Sequence, residues 1–295
     1  MELDRRGRLG VWSWLDALSA EEAAAFARRV ETWGYSALWI PEAIGREPFA
    51  LLGFLATSTT RLVLATGIAN IYARDALSMR AAQLTLAELS KDRFLLGLGV
   101  SHAPMVQGLR GHSYGKPVAT MRDYLEAMKR APYVGPQPPA PPPLVLAALR
   151  RRMLELSAES ACGAHPYLVP PEHTARAREI LGKGPWLCPE QMVLLETDAS
   201  KARAIARQNM LIYLGLPNYR NNLKWLGFAD ADLENGGSDR LVDAIVAWGD
   251  EKVIADRIQA HLDAGADHVC IQSFRPDGAR GFDTRVLETF APARQ

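Results

Sequence analysis

Two apolar runs of the sequence end in glycine and small polar residues, which are residue types that bind ligands. Residues 62–65 are followed by Gly67 and Asn70, and residues 94–100 are followed by Ser101-His102. These runs predict two buried strands of a parallel α/β protein, in which ligands collect at the carboxyl ends of the strands. The two strand ends therefore predict where the functional site lies.

A run of three arginines, at residues 150–152, is the main candidate for an anion site. It follows a predicted strand at residues 144–149, and a guanidinium group can hold phosphate or carboxylate through two hydrogen bonds. The alternative is an exposed helix start, where positive charge opposes the helix dipole. The whole chain has a net charge of +1, from 34 basic and 33 acidic residues. It therefore has no overall basic field for nucleic acid or an anionic membrane, and any anionic ligand needs a local cluster.

The composition predicts one large intracellular domain. The chain has 295 residues, of which 48% are hydrophobic, and a single α/β barrel needs about 250. Its cysteines, Cys162, Cys188 and Cys270, are widely spaced and odd in number, which argues against a disulfide framework or structural zinc. Four of the first six residues are charged, and no apolar stretch approaches the ~20 residues that cross a bilayer. We expect a cytoplasmic protein with neither a nucleic-acid nor a membrane partner.

Short apolar runs alternate with helical patterns along the chain, which predicts a (β/α)8 TIM barrel as one domain over residues 1–295. The predicted strands are residues 9–12, 37–40, 62–65, 94–100, 144–149, 163–168, 191–196 and 268–272. The predicted helices are residues 19–34, 48–57, 76–90, 117–129, 153–161, 171–181, 199–214 and 219–226.

Two segments depart from a minimal barrel. Residues 132–143 contain seven prolines in twelve positions, which predicts a stiff extended connector rather than a domain boundary. An insertion of about seventy residues with several helices lies between the seventh and eighth strands. Insertions of this size usually cover the active-site mouth or build an oligomer contact.

Several motifs, in this order, resemble the luciferase-like oxidoreductase superfamily, and specifically its bacterial branch that depends on the deazaflavin coenzyme F420. The similarity extends from about residue 9 to about residue 275. The motifs are residues 39–47, 65–75, 96–102, 163–167, 216–222 and 265–269.

The resemblance implies a barrel that binds a flavin-like ring at its carboxyl face and moves a hydride between the deazaflavin and a small organic substrate. In this superfamily the third strand often ends in a bulge with a non-prolyl cis peptide bond that backs the ring. Here that bond falls at Gly67-Ile68. Relatives often pair as dimers, so a homodimer is an expectation of the resemblance.

The resemblance also implies two catalytic candidates, Glu42 and His102. Glu42 occupies the place where relatives have an acidic residue or a histidine near the ring, and could contact the ring or transfer a proton. Relatives often have a histidine next, but this chain has Ala43, and Glu42 could instead be a charge at a helix start. His102 could supply the proton that neutralises a reduced product, or could be a hydrogen-bonded structural histidine.

The resemblance extends to a cofactor-binding set with one departure. Relatives commonly have a glycine-proline turn before the methionine that matches Met153, where this chain has its arginines. Coenzyme F420 carries a phosphodiester and a glutamate tail, so the arginines could bind it, or the cofactor site could be altered or lost. The predicted cofactor-binding residues are Trp12, Glu42, Gly67, Ile68, Asn70, Val100, Ser101, His102, Arg150, Arg151 and His165.

Two other functions remain open at this point. One is an FMN-dependent luciferase-like monooxygenase, which must shield its flavin from water. The other is a ligand-binding barrel without a cofactor, which the arginine run and Ala43 favour. A nicotinamide or ATP site is disfavoured, because the sequence has neither a GxGxxG motif with a ribose-binding acid nor a P-loop lysine motif. No metal site is predicted.

Overall fold

The computed structural model describes residues 7–294, which form an all-parallel sheet of eleven strands with helices between them. The charged segment at residues 1–6 lies outside the described residues. No helix in the described part of the chain is long and apolar enough to cross a membrane.

Eight of the eleven strands lie close to the predicted positions. The strands are β1 (Leu9–Trp12), β2 (Ala37–Ile40), β3 (Val63–Thr66), β4 (Ala69–Asn70), β5 (Phe94–Gly99), β6 (Leu144–Leu146), β7 (Gly163–Ala164), β8 (Trp186–Leu187), β9 (Glu190–Leu195), β10 (Val246–Gly249) and β11 (Val269–Ser273). Strands β4, β8 and β10 were not predicted.

Most helices lie between successive strands. The helices are α1 (Ala20–Thr32), α2 (Pro48–Ser58), α3 (Ala76–Leu89), α4 (Pro117–Arg130), α5 (Arg151–Ser160), α6 (Pro171–Leu181), α7 (Ala199–Leu214), α8 (Pro217–Trp225), α9 (Asp239–Ile245), α10 (Glu251–Asp263) and α11 (Thr284–Thr289). Helices α7, α8 and α9 follow one another between β9 and β10. A π-helix, Pro104–Leu109, and 3-10 turns, Asp230–Leu233 and Pro292–Arg294, complete the regular structure of residues 7–294.

The sheet closes on itself, which confirms the predicted TIM barrel. The strand order is β10-β9-β11-β1-β2-β3-β5-β6-β7-β8, with β4 beside β5. Only Cys188 and Pro189 separate β8 from β9, and the two halves of this bent strand pair with different neighbours. Strand β8 pairs with β7, through Leu187 opposite Ala164, whereas β9 pairs with β11. The segment 186–195 therefore joins the two ends of the sheet.

The insertion between the seventh and eighth barrel strands contains a strand as well as the predicted helices. Strand β10 runs parallel to β9. The sequence analysis missed this strand, because its short apolar run directly follows the apolar face of α9 and the two periodicities merge. The proline-rich residues 132–143 contain neither helix nor strand, as the connector prediction requires, and β6 follows at once.

Alternate residues of each strand divide between two cores. Val63 and Ala65 belong to a cluster inside the barrel with Trp39 and Cys270, whereas Leu64 packs against the surrounding helices. This alternation is the period of two expected for a barrel wall. The interior is thus a packed core rather than an open channel.

Candidate active site

A backbone bulge follows β3 at the carboxyl mouth of the barrel. The peptide bond between Gly67 and Ile68 is cis, at the position that the resemblance implies. The Thr66 hydroxyl donates to the Gly97 carbonyl oxygen (2.8 Å) and accepts from the Gly97 N–H (2.9 Å). Asn70 lies opposite Gly99 in the β4–β5 pairing. These contacts fix the bulge against β5.

The glycines of β5 make room for this bulge. A Cβ atom at Gly97 would lie 2.1 Å from the Thr66 carbonyl oxygen, and one at Gly99 would lie 2.4 Å from Cδ1 of Ile68. Real Cβ atoms do not approach other atoms this closely. The glycine pattern in this strand therefore reflects close packing of the bulge itself.

Glu42 ties the end of β2 to the bulge through an ion pair. Its Oε2 accepts from the Asn70 N–H (2.7 Å) and from Arg74 Nη1 (2.9 Å), and its Oε1 accepts from Arg74 Nη2 (2.6 Å). Burial alone would lower the pKa of Arg74, but the hydrogen bonds and charge of Glu42 outweigh it and raise that pKa. Both carboxylate oxygens are therefore engaged in holding Asn70 and Arg74. We call Glu42, residues 66–74 and Gly97–Gly99 the bulge side of the mouth.

Trp12 and His165 lie beneath the bulge. The Trp12 indole N–H donates to the Gly67 carbonyl oxygen (2.9 Å), and the His165 ring stacks on Trp39 with 4.5 Å between ring centroids. His165 Nδ1 lies 2.7 Å from the Cys188 carbonyl oxygen, which can only accept, so Nδ1 carries the hydrogen. Burial lowers the pKa of His165 to about 4, so the ring is neutral. Its buried Nε2 has no hydrogen-bond partner among the described residues.

Three tyrosines cover the opposite part of the mouth. Tyr167 follows β7, Tyr213 belongs to α7 and Tyr219 to α8, with ring centroids 5.1 to 6.3 Å apart. The Tyr167 ring also lies 5.1 Å from Trp12. Its hydroxyl is 2.8 Å from that of Tyr213 and donates to Oε1 of Gln272 (2.9 Å). The insertion therefore packs its aromatic side chains over the barrel floor.

Glu190, at the start of β9, is buried beside these tyrosines. Its Oε2 accepts from the Leu168 N–H at 3.3 Å, and its Oε1 has no partner among residues 7–294. Burial raises the pKa of this carboxyl to about 8. We call Tyr167, Tyr213, Tyr219 and Glu190 the tyrosine side of the mouth.

His102 lies beside Tyr219, between the end of β5 and the insertion. The two ring centroids are 5.6 Å apart. Burial lowers the pKa of His102, so its neutral form dominates near pH 7. Ser101 has a positive φ of 54°, and its carbonyl oxygen accepts from the Tyr114 hydroxyl (3.2 Å). Val100 packs against the outer core.

The three arginines lie at the start of α5 and are all exposed. Arg150 occupies the N-cap position without a side-chain capping hydrogen bond, and Arg151 contacts Glu155 at 3.5 Å. Because α5 follows β6, this run is at the carboxyl face, on the rim of the mouth. No group of histidine, cysteine and acidic residues in the described part of the chain could hold a metal ion.

Sequence reasoning missed the ion-pair partner Arg74, the three tyrosines and Glu190. Tyr167 is two residues beyond His165, so the period of two in a strand could have placed it on the same inner face. Glu190 is an acid at the head of an apolar run, which is a signal of a buried titratable group. Nothing in the local pattern of α7 and α8 indicates that Tyr213 and Tyr219 cover the mouth.

Comparisons with known proteins agree with this architecture. Residues 8–268 match the model of a family described as luciferase-like monooxygenase. A Mycobacterium tuberculosis protein, whose name proposes a coenzyme F420-dependent oxidoreductase, is 30% identical over 170 residues. That alignment covers 58% of this chain and 46% of the relative, so this chain matches less than half of the relative's length.

Two solved structures show the same fold over nearly the whole chain. Coenzyme F420-dependent tetrahydromethanopterin reductase from Methanopyrus kandleri has a TM-score of 0.71 at 17% identity and covers 97% of both chains. The oxygenating constituent of 3,6-diketocamphane monooxygenase from Pseudomonas putida, in complex with FMN, has a TM-score of 0.70 at 13% identity and covers 97% of this chain and 96% of that one. With the family match over residues 8–268, the chain belongs to the luciferase-like monooxygenase family of oxidoreductases.

Proposed function

We propose that this protein is a coenzyme F420-dependent oxidoreductase that moves a hydride between the deazaflavin and a small organic substrate. The observation that carries the proposal is the backbone of residues 67–70 at the barrel mouth, held from one side by Glu42 and from below by Trp12. The proposal is also supported by the mycobacterial relative, whose name describes a coenzyme F420-dependent oxidoreductase.

The residues at the mouth fit such a coenzyme. The partly exposed Tyr167 ring offers an aromatic surface to a planar ring, and the buried Trp12 and His165 side chains support the bulge from below. The exposed arginines 150–152 would hold the anionic tail at the rim. When bound, the coenzyme supplies the ring carbon that gives or accepts the hydride.

Two side chains have separate tasks in this scheme. Glu42 is a positioning residue, because its carboxylate is bonded to Asn70 and Arg74 and keeps the bulge in place. His102 is the proposed catalytic acid and base. Its neutral imidazole would take the proton from a substrate hydroxyl during oxidation and return it during reduction.

A second candidate is an FMN-dependent monooxygenase, which one observation favours. Tyr219 is only 8% exposed and closes the mouth together with Tyr213 and Tyr167. A cover of this kind excludes water, which such a monooxygenase requires. A titration with each of the two coenzymes distinguishes the two candidate functions.

The test is a titration of the purified protein with coenzyme F420 and, separately, with FMN, followed by tryptophan fluorescence. Trp12 beneath the bulge is one of the seven tryptophans that contribute to this fluorescence. We expect a Kd for coenzyme F420 of about 1 μM or lower, weakened about tenfold in the R150A/R151A double variant. The matched control is R28A/R130A, which removes two exposed arginines from α1 and α4. Preference for FMN would favour the monooxygenase, and binding of neither would favour a barrel without a cofactor.

A further inference from the structure

Glu190 is a buried carboxyl group for which the proposed function has no task. It is 1% exposed, and the Leu168 N–H is the only hydrogen-bond donor that it meets among the described residues. A buried polar atom without a partner costs about 1 to 3 kcal/mol, so a ligand that supplies the missing hydrogen bond is favoured at such an atom.

The position of Glu190 in the barrel wall directs its side chain into the barrel interior, just below the mouth. Glu190 lies opposite Cys270 in the β9–β11 pairing, and Cys270 belongs to the interior cluster. Residues opposite each other on neighbouring parallel strands face the same side of the sheet. Gln272, two residues further along β11, accepts from the Tyr167 hydroxyl at the mouth. Glu190 therefore lies one level below that hydrogen bond, at the floor of the tyrosine side.

The groups that face Glu190 from the neighbouring elements are all uncharged near pH 7. They are Tyr167 after β7, Tyr213 on α7, Tyr219 on α8 and Cys270 on β11, and burial raises the pKa of each. Because the pKa of Glu190 is itself raised to about 8, the carboxyl keeps its proton at neutral pH. A protonated carboxyl has one O–H donor. Oε2 already accepts from Leu168, which leaves Oε1 free to donate.

We propose that Glu190 is a specificity-determining residue that donates from Oε1 to an uncharged oxygen of the substrate, so that the mouth selects carbonyl and alcohol compounds over carboxylates and phosphates. The inference rests on the proposed function, since it names the substrate class of the same site. An anion brought against Glu190 and the three tyrosines would lose its hydration without meeting a cation, which is costly. The exposed arginines lie at the rim and serve the coenzyme tail.

The test compares two probes that differ in charge, acetophenone and 4-acetylbenzoate, by ligand-observed NMR on the full chain loaded with coenzyme. At about pH 6 we expect acetophenone to bind at least about tenfold more tightly than the carboxylate. Between about pH 6 and about pH 9.5, the affinity for acetophenone should fall at least about fivefold as Glu190 ionises. The E190Q variant, which keeps a neutral donor, should bind acetophenone equally well at both pH values.

The matched control is E179Q, the same change on the exposed face of α6, which should keep the pH dependence of the wild type. Equal or tighter binding of 4-acetylbenzoate, absence of acetophenone binding, or a pH dependence that persists in E190Q would each overturn the inference. The charge discrimination is measured on the wild type, so it holds even if E190Q folds poorly. Wild-type binding of coenzyme F420 is measured separately, so failure of the proposed function is distinguishable from failure of this inference.

Discussion

The two sides of the barrel mouth differ in how completely their buried polar groups are bonded. On the bulge side, Thr66 and Glu42 have partners on neighbouring segments at 2.6 to 2.9 Å. On the tyrosine side, Oε1 of Glu190 has none among the described residues.

This difference indicates a division of labour at the site. A fully bonded region is fixed before any ligand arrives, and the bulge side can therefore act as a rigid support. Buried groups without partners are costly unless a ligand meets them. The substrate's polar atoms should accordingly be recognised on the tyrosine side. The following variants test this division.

The largest effect is expected when the ion pair of the bulge side is broken. In R74A the carboxylate of Glu42, whose side chain is only 7% exposed, loses its cation. Removing one partner of a buried pair costs about 3 to 5 kcal/mol, and we expect a loss of about 4 kcal/mol in the free energy of unfolding. Urea denaturation measures it. The matched control is R122A, whose partner Glu159 is 55% exposed, with an expected loss under about 1 kcal/mol. Equal losses in the two variants would show that the bulge does not depend on this pair.

The second effect is a pH dependence of stability that belongs to the tyrosine side. Folded Glu190 keeps its proton up to about pH 8, whereas the unfolded chain releases it near the ordinary value of 4.5. Between these values the unfolded state binds fewer protons, so stability falls as pH rises and levels off above about pH 8.

The E190Q variant should lack this fall. Between about pH 5 and about pH 8, the free energy of unfolding of E190Q should rise relative to that of the wild type by on the order of 3 kcal/mol. Thermal unfolding at a series of pH values measures the difference, with E179Q as the control. A constant difference between E190Q and the wild type would mean that Glu190 is already ionised.

The third effect concerns His102, which lies between the two sides. In H102N, loss of the proton acceptor should lower kcat for oxidation of 1-phenylethanol by about 100-fold. Burial lowers the pKa of His102 below its ordinary value of 6.5. Wild-type activity should therefore fall only at a pH below 6.5, and this acid limb of the pH profile should vanish in H102N. The control H112N alters an exposed histidine. An unchanged acid limb in H102N would assign it to another group.

The barrel itself was predictable from the sequence because each strand carries its own signal. Residues 9–12 and 37–40 were predicted with the bounds that the structure shows for β1 and β2. Strand β8 was missed because its pairing with β7 involves only two residues on each strand, too few for a period of two to be visible. Only its pairing with β7, a separate segment of the chain, identifies β8 as a strand.

The candidate site was predictable only on the bulge side. The cis bond at Gly67-Ile68 was expected from a motif contiguous in sequence. Arg74 belongs to the same motif, residues 65–75. Its ion pair with Glu42 could not be predicted, because that pair depends on how β2 packs beside β3. Tyr213 and Tyr219 reach the mouth through the packing of a long insertion, which local patterns do not encode. The site roles of the named residues stay predictions.

The smallest effect is expected from the hydroxyl contact within the tyrosine side. In Y213F the Tyr167 hydroxyl loses a neighbour at 2.8 Å but keeps Gln272 as acceptor. One hydrogen bond contributes about 1 kcal/mol, and we expect a loss of that size in stability. The Kd for acetophenone should rise about threefold, since Tyr167 would be less firmly held above Glu190. The control is Y133F in the proline-rich connector, where the hydroxyl is 3.3 Å from Thr85. If Y213F weakened coenzyme binding more than acetophenone binding, the tyrosine side would recognise the coenzyme, and the division between the two sides would not hold.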